Sequence, residues 1–198
     1  FSWPQHLQTA RTLELAGPEE RGTALALMGV ALLLLGLLPG HAAEAELTVI
    51  SYNIRHGLGM DGKVDLPRIA EVIRVSGAQV AVLQEVDRGM GRTQRRDLTA
   101  ELAKALGWQG VFDANLRTAD KGQYGNALLT SLPIKAWKNR VFPQTQPGEP
   151  RGLLRATLIW EGREVEVLTT HLDASKDDAE RRHQVGLIRE ALLGLPAE

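Results

Sequence analysis

Val82-Leu83-Gln84-Glu85-Val86-Asp87 is an apolar run that ends by presenting a carboxylate, Glu85. Taken from Gln79 to Val86, it is apolar enough to be a strand buried on both faces, as in the middle of an α/β sheet. Three other segments read as strands that deliver polar side chains. Leu47-Thr-Val-Ile-Ser-Tyr-Asn53-Ile-Arg55 stops at an amide and a guanidinium, Gly125-Asn126-Ala-Leu-Leu-Thr-Ser131 carries an amide, and Val165-Glu-Val-Leu-Thr-Thr-His171-Leu-Asp173 ends on an imidazole. Ligands of α/β sheets bind outside one set of strand ends, so polar groups gathered there are the first site candidates.

Around these strands the chain alternates helix and strand signals. Gly57 to Gly62 is a flexible loop. Asp65 caps a helix with Pro67 in its first turn and Ile69, Val72 and Ile73 on one face, and Gly77 ends it. A second helix starts near Asp97, carries Leu98, Leu102 and Leu106, and stops at Gly107. Trp108 to Phe112 reads as a short strand, and Ile134 to Phe142, polar and bounded by prolines, as an edge strand. Leu153 to Trp160 and Arg163 to Thr170 flank Glu161-Gly162, which suits a tight hairpin. A last helix covers about Lys176 to Leu193. Antiparallel hairpins mixed with returning helices predict stacked sheets with helices outside.

Composition narrows the function classes. The 198 residues are 43% apolar and 24% charged, the balance of a globular domain with a sizeable core. The formal net charge of −1 lacks the basic excess of a non-specific nucleic-acid binder. There is no cysteine, hence no disulfide framework, thiolate nucleophile or Cys-based zinc site.

The first 45 residues read differently from the rest. Thr23 to Leu38 is an almost unbroken apolar run, followed by Pro39-Gly40 and the small-residue pattern Ala43-Glu44-Ala45. That is the layout of a secretory signal with its cleavage site, and the run falls short of the roughly 20 residues a membrane span requires. The acidic residues Glu14, Glu19 and Glu20, which outweigh Arg11 and Arg21, depart from the basic segment such a signal carries. The expectation is therefore an exported protein, periplasmic or secreted, with membrane anchoring through an uncleaved leader as the alternative. Residues 1–45 are assigned to the leader and 46–198 to the domain.

Taken singly, the candidate residues keep two readings. Glu85 is a metal-binding or catalytic carboxylate, or a solvated strand end. Asn53 is a site amide, or a turn residue bonding its own backbone. His171 is an acid–base group, or a structural imidazole. Arg88, Arg92, Arg95 and Arg96 follow the Glu85 strand and could meet a phosphate, though such a charge run near a helix start is ordinarily a solvated face. Gly57-x-Gly59 lacks the spacing of a dinucleotide site, and no Gly-x-Ser-x-Gly elbow is present.

Taken together, the segments resemble the endonuclease/exonuclease/phosphatase superfamily. The resemblance rests on Ser51-Tyr-Asn53-Ile-Arg, Leu83-Gln84-Glu85-Val-Asp87, Tyr124-Gly125-Asn126-Ala-Leu-Leu with Ser131-Leu-Pro133-Ile, Glu149-Pro-Arg151-Gly152, and Thr170-His171-Leu172-Asp173, in that order. It implies a DNase I-like four-layer α/β sandwich and divalent-metal hydrolysis of a phosphate ester. By position, Glu85 would be the main protein ligand of Mg²⁺ (or Mn²⁺ or Ca²⁺), with Asn53 beside the metal and the scissile phosphate. His171 would donate a hydrogen bond to a phosphoryl oxygen, and Asn126, Tyr124 and Arg151 would line the substrate cleft. The implied substrate is a lipid head group, a small diester or a nucleic acid.

Members of that superfamily continue into a Gly-Asp-x-Asn strand and a later Ser-Asp-His motif, and neither occurs before Glu198. The expectation is an incomplete, C-terminally truncated fold in which the parent protein is the hydrolase and these 198 residues alone have little activity. The alternative is a non-catalytic binding module that retains the fold and lacks half of the site.

Overall fold

A computed structural model of the protein describes residues 7–13 and 46–194. The apolar run 23–38 and the Ala-x-Ala pattern lie outside the described residues.

Among the described residues, eight strands form two sheets. The first comprises β1 (Leu7–Leu13), β2 (Leu47–Asn53), β3 (Val80–Arg88), β4 (Gln109–Arg117) and β5 (Gln123–Thr130), in the order β1-β2-β3-β5-β4. The second comprises β6 (Ile134–Val141), β7 (Gly152–Trp160) and β8 (Arg163–Thr170) in sequential order. Among the described strands only β2 and β3 pair in parallel, because α1 (Leu66–Val75) returns the chain between them. The residues set aside as leader contribute β1, antiparallel to β2 with Leu7 opposite Tyr52, on a backbone edge whose N–H and C=O groups would otherwise be unpaired.

Side-chain alternation assigns the layers. On β3, Ala81 and Leu83 face a core shared with α1 and α2 (Leu98–Leu106), to which Ile69, Ile73, Leu98 and Leu102 contribute. Val80 and Val82 face the opposite way, onto Leu154, Ala156, Leu158 and Trp160 of β7. The outer face of the second sheet is covered by α3 (Ala179–Leu193), with Leu187 against Phe142 and Leu153. The order is helices, sheet, sheet, helix, the expected four-layer α/β sandwich, with sparse outer helices.

Local signals formed as the residues dictate. Asp65 Oδ1 accepts from the Arg68 N–H at 3.0 Å, and Asp97 Oδ1 accepts from the Ala100 N–H at 3.0 Å. Gly107 closes α2 in the left-handed region at φ +70°. Glu161 and Gly162 both have positive φ, as a two-residue hairpin turn matching strand twist requires. The strand expected at Trp108–Phe112 is longer, Gln109–Arg117, because it pairs with β5 along its length. Among the described residues no helix is long and apolar enough to cross a membrane.

Candidate functional site

A β-bulge in β3 sets the position of Glu85. Leu83 opposes Ala127 and Val86 opposes Gly125, so Gln84 and Glu85 together face the single residue Asn126. Leu83 and Val86, three apart, both lie in the helix-side core. Regular alternation would put Glu85 on that apolar face, and the bulge puts Val86 there instead. Glu85 takes φ +59°, the left-handed region that a non-glycine residue enters at a cost of about 1–2 kcal/mol. Arg55 (φ 45°) and His56 (φ 47°), in the loop leaving β2, are also left-handed. Three left-handed non-glycine residues thus lie near the ends of β2 and β3.

Asn53, on the strand parallel to β3, donates from Nδ2 to Glu85 Oε1 at 2.6 Å, and its Oδ1 accepts from the Arg55 N–H at 3.0 Å. Its amide is therefore oriented, and it holds one carboxylate oxygen while leaving the other unbonded by it. Behind it, Gln84 Nε2 donates to Thr169 Oγ1 of β8 at 3.0 Å, tying the two sheets together beside the bulge.

The second sheet contributes the other half of the site. Arg151 immediately precedes β7 and His171 immediately follows β8, and the pairing of Leu153 with Thr170 brings them together at the open end of the hairpin. Arg151 Nη1 lies 3.0 Å from His171 Nδ1 and 2.5 Å from Glu149 Oε1. Guanidinium only donates, so His171 Nδ1 accepts and the ring proton sits on Nε2. Burial, reinforced by the Arg151 charge and opposed by Glu85, pushes the His171 pKa below its ordinary value. The result is a neutral imidazole whose Nε2–H is a donor. The Arg151 side chain is only 8% exposed, and its Nε is a buried donor without a partner among the described residues.

Tyr124 lies between the halves. Burial raises its pKa first, and the charges of Glu85 and Glu149 raise it further, against Arg151 and Arg92. Its hydroxyl therefore stays protonated and available as a donor. Asn126 sits deeper than the sequence reading put it: it is 1% exposed, and its Nδ2 donates to the Gly152 carbonyl at 3.2 Å rather than lining an open cleft. The Thr170 hydroxyl donates to the same carbonyl at 2.9 Å, so Asn126 braces the sheet that carries Arg151 and His171.

Three further residues join this cluster, of which the sequence reading names Asp87 only as part of the strand motif and Arg92 only as one of four arginines. Asp87, 0% exposed, accepts from Arg92 Nε at 2.8 Å and from Arg92 Nη2 at 2.7 Å. The Arg92 guanidinium stands 5.2 Å from the centre of the Tyr124 ring. His56 carries a buried Nδ1 without a partner among the described residues, and its pKa is lowered by burial first and then by Arg92. The signal for His56 was its place three residues after Asn53. For Arg92 the signal was shared by all four arginines, since the charge run hides which of its members turns inward.

Glu85 fits a hard divalent cation in part. A half-buried carboxylate steered off an apolar face, with one oxygen held by an amide, is a suitable ligand for Mg²⁺, which keeps several waters. Among the described residues no group of three or more His, Cys, Asp or Glu side chains is placed to hold a metal. Glu85 would thus be the principal protein ligand, with Asn53 fixing its orientation.

The four-layer sandwich thus places a carboxylate and an amide on one sheet and an imidazole and a guanidinium at the end of the other. Residues 50–196 match the model of the Endonuclease/Exonuclease/phosphatase family, and the chain belongs to that family, whose members are typically phosphoester hydrolases. It is 25% identical to the uncharacterized protein YbhP of Escherichia coli K12, with the match covering 80% of this chain and 65% of that protein. The chain thus spans less than two thirds of the length of these curated relatives. Among solved structures, it resembles an endonuclease/exonuclease/phosphatase from Beutenbergia cavernae (TM-score 0.56, 26% identity, 75% of this chain and 44% of that one). The fold also matches a family protein from Leptotrichia buccalis (TM-score 0.59, 17% identity, 73% of this chain and 62% of that one). A third match is D. rerio TDP2 complexed with a single-strand DNA product (TM-score 0.57, 22% identity, 76% of this chain and 56% of that one).

Proposed function

We propose that these residues form the metal- and phosphate-binding half of a Mg²⁺-dependent phosphoesterase, acting on a diester such as a lipid head group or a small diester. The observation that carries this reading is Glu85, held in a left-handed bulge and hydrogen-bonded by Asn53 at 2.6 Å. Folding alone gives no reason to keep a carboxylate in that conformation. A nucleic-acid substrate is second to a small diester because the net charge of −1 offers no general attraction to polyanions.

In this reading Glu85 would hold a Mg²⁺, whose Lewis acidity would supply polarisation of the phosphoryl oxygen and stabilisation of the leaving oxygen. The chain's own residues do the rest. Glu85 provides the hard ligand and Asn53 keeps it in place. His171 donates from Nε2–H to a phosphoryl oxygen as charge accumulates there, and the Arg151 contact prevents the ring from presenting its other tautomer. Arg151 Nε and the Tyr124 hydroxyl supply further donors to an anion. We further place the protein outside the cytoplasm, on the strength of the apolar run 23–38 and the Ala-x-Ala pattern.

The test is hydrolysis of bis(p-nitrophenyl) phosphate by the full natural chain carrying this domain. Turnover is expected to require Mg²⁺, to stop in EDTA, and to fall at least ~100-fold in Glu85→Gln. Metal-independent turnover, or a Glu85→Gln variant as active as the wild type, overturns the reading. Folded protein that binds phosphate esters without turning them over supports the binding-module alternative.

A further inference from the structure

We propose that Arg92, fixed by the buried carboxylate of Asp87 beside the Tyr124 ring, is a substrate-binding residue that takes a phosphate oxygen of the ester through its remaining Nη1 amino group. This deepens the phosphoesterase reading and rests on it for the identity of the substrate.

The four arginines after β3 have different fates. Arg88 donates to Gln123 Oε1 at 2.7 Å and lies 4.5 Å from the centre of the Phe112 ring. Arg95 pairs with Asp120 at 2.8 Å, and Arg96 pairs with Glu101 at 2.6 Å. All three are engaged by side chains outside the cluster described above. Arg92 alone turns back onto the end of β3.

Its anchor is built to orient rather than merely to neutralise. Asp87 is fully buried, a costly place for a carboxylate without a partner. Arg92 meets it with two parallel bonds from Nε and Nη2, and Thr93 Oγ1 adds a third at 3.1 Å. Two parallel bonds fix the guanidinium plane as well as its position. Asp87 is the cross-strand partner of Tyr124, so the same anchor sets the guanidinium over that ring. Nη1 is left without a partner among the described residues, on a side chain that is still 45% exposed. Glu85 and Arg92 also lie close enough for their charges to interact. A planar, rigidly held donor beside the carboxylate proposed to carry the metal has the chemistry that recognises a phosphoryl oxygen. Asp87 is a positioning residue in this scheme.

The experiment uses the full natural chain and two readouts, inorganic phosphate binding by calorimetry and steady-state hydrolysis of bis(p-nitrophenyl) phosphate. Arg92→Gln strands the buried Asp87 charge and can unfold the protein for that reason alone. The double variant Asp87→Asn with Arg92→Gln removes both charges and keeps the test valid. Phosphate is expected to bind about tenfold more weakly, and KM to rise by a similar factor with a smaller change in kcat. Arg92→Lys, which keeps the charge without the fork, is expected to recover part of the phosphate affinity. Wild-type affinity and KM in a folded double variant overturn the proposal, as does a wild-type protein that binds no phosphate. If the wild type hydrolyses nothing while the double variant still loses phosphate affinity, the phosphoesterase reading falls and Arg92 stands as an anion-binding residue.

Discussion

Arg151 Nη1 and His171 Nδ1 lie 3.0 Å apart, so the imidazole of the site is bound by a cation rather than by a carboxylate. A protonated ring would place two positive charges in contact. Burial and Arg151 both oppose protonation, and Glu85 only partly offsets them. His56 is lowered as well, by burial first and then by Arg92.

The pH dependence follows from these directions. Both histidines have folded pKa values below the ordinary 6.5, so the unfolded chain takes up protons at a higher pH than the native state. Their contribution to stability is complete above pH 6.5 and is lost as pH falls toward the depressed native values. Nitrogen-15 NMR of the metal-free protein is expected to place the His171 titration below 6.5, and Arg151→Gln to move it upward. An unshifted His171 in the wild type contradicts the pairing.

Strain at Glu85 makes a second, separable expectation. Asparagine tolerates the left-handed region better than glutamate does, so Glu85→Asn relieves roughly 1 kcal/mol while losing a hydrogen bond worth about the same. Chemical denaturation is expected to show a net change within about 0.5 kcal/mol, against at least a ~100-fold loss of Mg²⁺-dependent turnover. A large destabilisation would mean that Glu85 is there for the fold.

Gly125 has no room for a methyl group. A Cβ at this position would lie 2.0 Å from the Asp113 carbonyl oxygen, in the backbone of the adjacent strand. Gly125→Ala is expected to cost about 3 kcal/mol or more, or to prevent folding, as read from denaturant midpoints or soluble yield.

The Gln84–Thr169 hydrogen bond joins the sheets next to the bulge. Thr169→Val keeps the shape and removes the shortest of the three contacts of Gln84 Nε2, leaving those to Ser51 Oγ and the Val82 carbonyl, at a cost of about 1 kcal/mol. It is also expected to lower kcat without touching any residue of the site. Unchanged kcat in a measurably destabilised Thr169→Val protein would show that the bond serves stability alone.

The sequence made the layers legible because the relevant rules are local. Asp65, Asp97, Gly107 and Glu161-Gly162 each announce a cap or turn within a few residues, and the Val80–Leu83 run announces a strand covered on both sides. The order of the motifs singled out Glu85, Asn53, Tyr124, Arg151 and His171 as candidates. What escaped depends on contacts between distant segments. Nothing local to Glu85 predicts a left-handed residue inside a strand, because the bulge arises from register against β5. Arg92 could not be told from its three neighbours without the fold, since all four have the same residue type and spacing alone does not show which meets a buried carboxylate. The bond from Asn126 to the Gly152 carbonyl was not legible, for its partner lies on the other sheet. The strand Leu7–Leu13 escaped because its pairing partner lies beyond the apolar run.

The two sheets share the chemistry unequally. Asn53 and Glu85 are on one sheet, while Arg151 and His171 are on the other, and the layers meet through the apolar contact of Val80, Val82 and Leu128 with Leu154, Ala156 and Leu158. Packing in that seam is therefore also an alignment device, like the hinge pin that decides whether two jaws close true. Substitutions there that merely slide one layer against the other would misalign the carboxylate and imidazole halves, leaving a protein that is folded and soluble but out of adjustment.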